Sequence, residues 1–336
     1  MKKSLLLLSL LSGLALTLPA QAVTFKVATV SPDGSMWMNE LRSGAEQIAE
    51  RTDGRVSFKF YPGGVMGDDK AVLRKIRSGQ LHGAVLTAGG LGQVYSDLQL
   101  YTLPMVFDDL AEVDHIRSVM DDTLMAGLQE SGYVGFGFAE VGFAYAMTKT
   151  PVQTFEEVRS QKIWIPDGDQ AAELAFSTFD ISAIPLSIAD VLGGLQTGLI
   201  NSVAVPPVGA IALQWHTQLR YVFDLPLLYV YGLLTVQDRQ FAKLESADQA
   251  VVREVMGDVV LRVDAQNRTD HERAVVALRQ QGLTFNEPTD AEADRWRGLS
   301  AQASDSMINE GVISQGIFDS LQTELSRYRE DRGSVD

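Results

Sequence analysis

Beyond residue 22 the apolar positions fall into two alternating rhythms. Phe25 to Val30 reads as a strand and ends in the turn-forming run Ser31-Pro32-Asp33-Gly34-Ser35. Trp37, Leu41, Ala45 and Ile48 then recur at steps of four, four and three, one face of a helix that Asp53-Gly54 stops. Val56, Phe58 and Phe60 alternate as a half-buried strand, Pro62-Gly63-Gly64 turns the chain, and a second helix is predicted from Asp69 to Ser78. This β-α-β-α order with short polar joints predicts an α/β lobe on a largely parallel sheet.

The pattern then echoes itself. Val72-Leu73-x-x-Ile76-x-x-Gly79-Gln80-Leu81-x-x-Ala84-Val85 returns 119 residues later as Val191-Leu192-x-x-Leu195-x-x-Gly198-Leu199-Ile200-x-x-Val203-Ala204. Each copy predicts an apolar helix face, a glycine for a left-handed stop, and a buried strand. Ser187 with Asp190 offers a capping box for the second copy. Two similar α/β lobes follow, with the ligand expected beyond the carboxyl ends of their strands. The last third reads as helical. Ser246 with Gln249 is positioned to cap a long helix carrying Val252, Val255, Val259 and Val263, and Thr289 with Glu292 to cap the next. A final helix is expected from about Ile317 to Arg329.

The first 22 residues follow a different rule. Lys2 and Lys3 precede an apolar run from Leu5 to Leu18, and Ala20-Gln21-Ala22 fits a small-x-small cleavage site. The run is short of the roughly 20 residues a membrane span needs. Residues 1–22 therefore read as a signal peptide cleaved after Ala22, which places the mature chain in the periplasm. The formal charge of −15 becomes −17 once the two lysines leave, and such acidity disfavours nucleic acid as a partner. The chain has no cysteine, which excludes disulfides, thiolate metal sites and a lipidated cysteine anchor.

Catalytic signatures are missing as well. His82, His115, His216 and His271 form no metal-binding spacing, and neither a G-x-S-x-G elbow nor a Walker loop occurs. Asp167-Gly168-Asp169 lacks the further acids of a calcium loop and reads as a turn. No enzyme activity and no cofactor are expected.

Tyr61-Pro62-Gly63-Gly64-Val65-Met66-Gly67, Gly79-Gln80-Leu81-His82, Leu103-Pro104-Met105-Val106-Phe107, Phe155-Glu156-Glu157-Val158 with Lys162-Ile163, and Pro185-Leu186-Ser187 through Leu195-Gln196-Thr197-Gly198 stand in one order. That ordered set resembles the solute-binding proteins of TRAP (tripartite ATP-independent periplasmic) transporters. The resemblance implies an α/β, two-lobed periplasmic binding protein fold with long C-terminal helices spanning the lobes. It divides the chain into a first lobe at 23–145, a second at 146–240 and a helical region at 241–336. It further implies capture of one small solute, usually an organic acid, and delivery to the integral membrane subunits of an ion-driven permease. A ligand-sensing protein docking on a membrane receptor, or a periplasmic enzyme, are the alternatives.

The family grips a ligand carboxylate chiefly through the arginine of its K-I-R segment, a fork that matches a carboxylate bidentately. Here Trp164 stands in that slot, Ala144 in that of a second arginine, and Val205 in that of an asparagine. A carboxylate enclosed there without a cation is costly by several kcal/mol. The replacements predict an apolar, partly aromatic wall suited to an aromatic or neutral solute as much as to an organic acid. Expected ligand contacts are Trp164, Ala144, Val205, Tyr145, Glu140 as a hydrogen-bonding carboxylate, and Thr87 at the end of a first-lobe strand. Trp37 and Trp215 read as core.

Overall fold

The computed structural model describes residues 22–333; the signal-peptide reading lies outside them, save for Ala22. Nine strands form one mixed sheet: β1 Val23–Ala28, β2 Val56–Tyr61, β3 Gly83–Thr87, β4 Tyr133–Thr148, β5 Ile163–Pro166, β6 Ala183–Leu186, β7 Ser202–Val205, β8 Tyr221–Gln237 and β9 Thr284–Asn286. The order is β2-β1-β3-β8-β4-β7-β5-β6, with β9 beside β8. β2, β1 and β3 run parallel in the first lobe, and β7, β5 and β6 in the second. Between them β4 and β8 pair antiparallel over nearly their whole length and belong to both lobes. β3 joins one end of β8, Gly83 opposite Val236, while β7 joins the far end of β4, Thr148 opposite Ser202. The boundary expected at 145/146 thus falls inside β4.

The echoed units fold alike. The helix Asp69–Arg77 leads through Gly79 into β3, and the helix Val191–Thr197 through Gly198 into β7. Both glycines sit at φ near +76°, a conformation a side chain resists. The capping boxes differ from expectation. The Ser187 hydroxyl donates to the Asp190 carboxylate instead of receiving a backbone N–H. Glu245, not Ser246, precedes the long helix, and Gln249 turns back to the Leu244 carbonyl. Thr289 does accept the Glu292 N–H.

That long helix, Ser246–Gln280, has 35 residues and therefore runs about 52 Å. It packs on the first-lobe helix Met36–Arg51, on β4, and on the second-lobe helix Pro207–Ala212. Its Val252, Met256 and Val259 close a core with Phe25, Val27 and Ile48 on one sheet face. On the opposite face Tyr101, Phe138 and Tyr231 meet edge to face with centroids 5.0–6.0 Å apart. No helix among the described residues is long and apolar enough to cross a membrane.

A polar network fastens the long helix to the crossover of β4 and β8. Arg117, on the helix Leu110–Glu130, donates to Asp264 at 2.9 Å, to the Phe138 carbonyl at 2.7 Å and to Asp121 at 3.3 Å. Asp264 in turn accepts the Glu140 backbone N–H at 2.5 Å. Tyr101 donates to Asp121 and Tyr229 to Glu140. Arg268 completes it, donating to Glu140 at 2.8 Å and to Asp114 at 2.8 Å.

Candidate ligand-binding cavity between the lobes

The strands of both lobes aim their carboxyl ends at one cavity of about 340 Å³, within the range of small-molecule sites. Val30 and Ser31 follow β1, Leu86 and Thr87 end β3, Ile165 and Pro166 end β5, and Ala204 and Val205 end β7; all of them line it. The placement follows from the fold: parallel strands in facing lobes leave their connecting turns on either side of one crevice.

The chain has four tryptophans, and Trp37, Trp164, Trp215 and Trp296 all line this cavity. Trp164 is buried, its indole N–H held by the Leu186 carbonyl at 2.9 Å and its ring edge to face with Trp215 at 5.1 Å. With both contacts fixed, Trp164 is a rigid wall rather than a free donor. Trp296 comes from the C-terminal helix Asp290–Asn309 and stacks edge-on with Phe155 and Phe179. Val205 lines the wall beside them. Thr87 does too, although its hydroxyl is engaged: it donates to Asp69 at 2.6 Å and accepts the Gly90 N–H at 3.3 Å.

Three expected contacts lie elsewhere. Glu140 is buried, and its carboxylate is committed to Arg268 and Tyr229. Ala144 is fully buried away from the cavity. Tyr145 packs with its ring centroid 6.4 Å from that of His271 and is not part of the lining. The cause is irregular pleating. Regular strands alternate faces every residue, so Val141 and Ala146, five apart, should face opposite ways. Register shifts at Glu140/Gly142 and Ala144/Ala146 bring both to the cavity instead, displacing the expected residues.

Asp169 is the one Asp, Glu, Lys, Arg or His among the lining residues. It caps the helix Gln170–Thr178, accepting from Ala172 N–H at 3.1 Å and from Gln99 Nε2, across the lobes, at 2.8 Å. Burial pushes its carboxyl up. Asp69, next to it at the seam, is pushed up to about 6, mainly by burial with smaller contributions from the charges of Asp68 and Asp169. The turn read at Asp167-Gly168-Asp169 is present, and it is also where the lobes meet. Lys70 of the first lobe pairs with Asp167 at 3.1 Å. Sequence reasoning missed Asp169 and Trp296 as cavity residues; Trp37 and Trp215, read as core, line the cavity as well, Trp215 while buried in the second-lobe core.

The family model of the bacterial extracellular solute-binding proteins, family 7 (DctP), matches residues 27–310. A solute-binding protein of Chromohalobacter salexigens is 24% identical over 87% of each chain. The TRAP periplasmic solute-binding protein of Desulfovibrio salexigens, solved with bound orotic acid, superposes with a TM-score of 0.82 at 17% identity, covering 90% of this chain and 99% of its own. The sugar acid binding protein DctPAm of Advenella mimigardefordensis, in complex with galactonate, gives 0.84 at 16% identity over 91% and 99%. With two lobes joined by shared strands, a cavity between them and a match over nearly its whole described length, the chain belongs to the family-7 bacterial extracellular solute-binding proteins.

Proposed function

We propose that this protein encloses one small, largely apolar solute in the interlobe cavity, passes it to the membrane subunits of a TRAP permease, and does no chemistry on it. The observation that carries the reading is the wall itself: four tryptophans and no lysine, arginine or histidine among the lining residues. A C4-dicarboxylate enclosed there would be desolvated without a cation, which supports weak or absent binding of malate and succinate. Trp164, Val205 and Thr87 are the contacts we retain from the sequence. Native mass spectrometry of the purified protein identifies the solute that copurifies, and calorimetry then measures it against variants. Trp164→Ala is expected to weaken it by about 1–3 kcal/mol, roughly 5- to 150-fold, through lost area and ring contact. Unchanged affinity would remove the cavity from the reading.

We also propose export to the periplasm with cleavage after Ala22. The charged start, apolar run and Ala20-Gln21-Ala22 support it. Edman sequencing of the protein from an osmotic-shock fraction is expected to begin at Val23; a start at Met1 would refute processing.

A further inference from the structure

We infer that the interlobe cavity selects organic amines, with an ammonium group directed at Asp169 and an apolar or aromatic body lying among the tryptophans. The inference rests on the cavity being the solute site, and it names the ligand's charge. Asp169 brings the only formal charge to the lining, and its lobe-closing neighbours add more of the same sign. Asp69 and Glu173 both act on it or with it as like charges. Lys70, the cation at this seam, is already paired with Asp167. The donors that Asp169 does have, the Gln99 amide and the Ala171 and Ala172 N–H groups, are all neutral.

A ligand carboxylate would therefore meet a like charge at Asp169 and only neutral donors elsewhere, among them the Ser202 and Tyr231 hydroxyls and the Trp296 indole N–H. An ammonium does better on both counts. It makes a charge-assisted hydrogen bond to Asp169, and its apolar frame is buried among Trp37, Trp164, Trp215 and Trp296. An alcohol of the same shape keeps the hydrocarbon contacts and loses the charge. The ligand charge is thus opposite to the one an arginine in the Trp164 slot would demand.

The test is a set of isosteres titrated by calorimetry into ligand-free mature protein at neutral pH: phenethylamine, 2-phenylethanol and phenylacetate, with their cyclohexyl counterparts. The amine is expected to bind about tenfold tighter than the alcohol, and the acid to give no saturable heat. Asp169→Asn keeps the helix cap, because asparagine caps as well as aspartate, and is expected to bring the amine-to-alcohol ratio near one. Alcohols binding as tightly as amines, acids binding tightest, or a ratio unmoved in Asp169→Asn each overturn the amine inference. If those results come with affinity still lost in Trp164→Ala, the cavity stands and only its charge preference falls. No binding by any probe in either body series overturns both.

Discussion

Arg117→Met is expected to lower stability by about 3–5 kcal/mol, the cost of leaving a buried charge without its partner. The guanidinium is largely enclosed, at 13% exposure, and Asp264 opposite it at 16%. Removing it leaves Asp264 and Asp121 with neutral donors but no counter-charge, and frees the Phe138 carbonyl. Methionine matches the length, so little cavity forms and the loss is chiefly electrostatic. Thermal unfolding followed by circular dichroism should show the midpoint at least about 6 °C lower. Arg51→Met is the control. Arg51 also pairs with the long helix, but it is 42% exposed and its partner Glu254 60%, so water can replace much of what that arginine supplies. A midpoint within about 2 °C of wild type for Arg117→Met would show that the network is not holding the long helix to the crossover.

Gly89→Val should act on binding and spare the fold. Gly89 is the second residue of the short helix after β3 and has an ordinary φ, so the backbone itself tolerates a side chain there. The obstacle comes from the other lobe: an added Cβ would lie 2.6 Å from Asp169 Cγ and 2.8 Å from its Cβ. Because the whole Asp169 side chain blocks the way, a rotamer change does not relieve the contact and the lobes must part. The Lys70–Asp167 pair and the Gln99–Asp169 bond both span this seam and would open with it. Overpacking of this kind costs about 1–3 kcal/mol, so affinity for the copurifying solute is expected to fall roughly 5- to 150-fold while the unfolding midpoint of ligand-free protein stays close to wild type. Small-angle scattering should then fail to show the decrease in radius of gyration that ligand produces in the parent. Wild-type affinity in this variant would mean that solute binds without the seam closing.

The echo of helix, glycine and strand was readable because it is local: apolar spacing and a left-handed stop are properties of a dozen residues. Thr87 was read from the end of the first-lobe strand, and the family's gripping slots located Trp164 and Val205. β8 was harder, since its buried residues fall on both faces and leave no alternation to read. Register shifts in β4 cannot be seen in one strand's sequence, because they are fixed by a partner some 90 residues away. That is why Glu140, Ala144 and Tyr145 were placed in the wall and Val141 and Ala146 were not. Asp169 failed for a related reason. Within its own segment it is a turn residue and helix cap, and only the approach of Gln99, 70 residues earlier, makes it part of a closed site.

The two strands shared by the lobes also set the entropy of closure. A receptor whose halves are joined by slack loops must freeze those loops when it shuts, at about 1–2 kcal/mol for each residue fixed. Here the connection is β4 and β8, hydrogen-bonded to each other from Tyr133 opposite Gln237 to Thr148 opposite Tyr221, with the long helix packed on β4. Their backbone is already ordered before any solute arrives. Little conformational freedom is left to lose, so most of the contact free energy gained in the cavity remains as affinity.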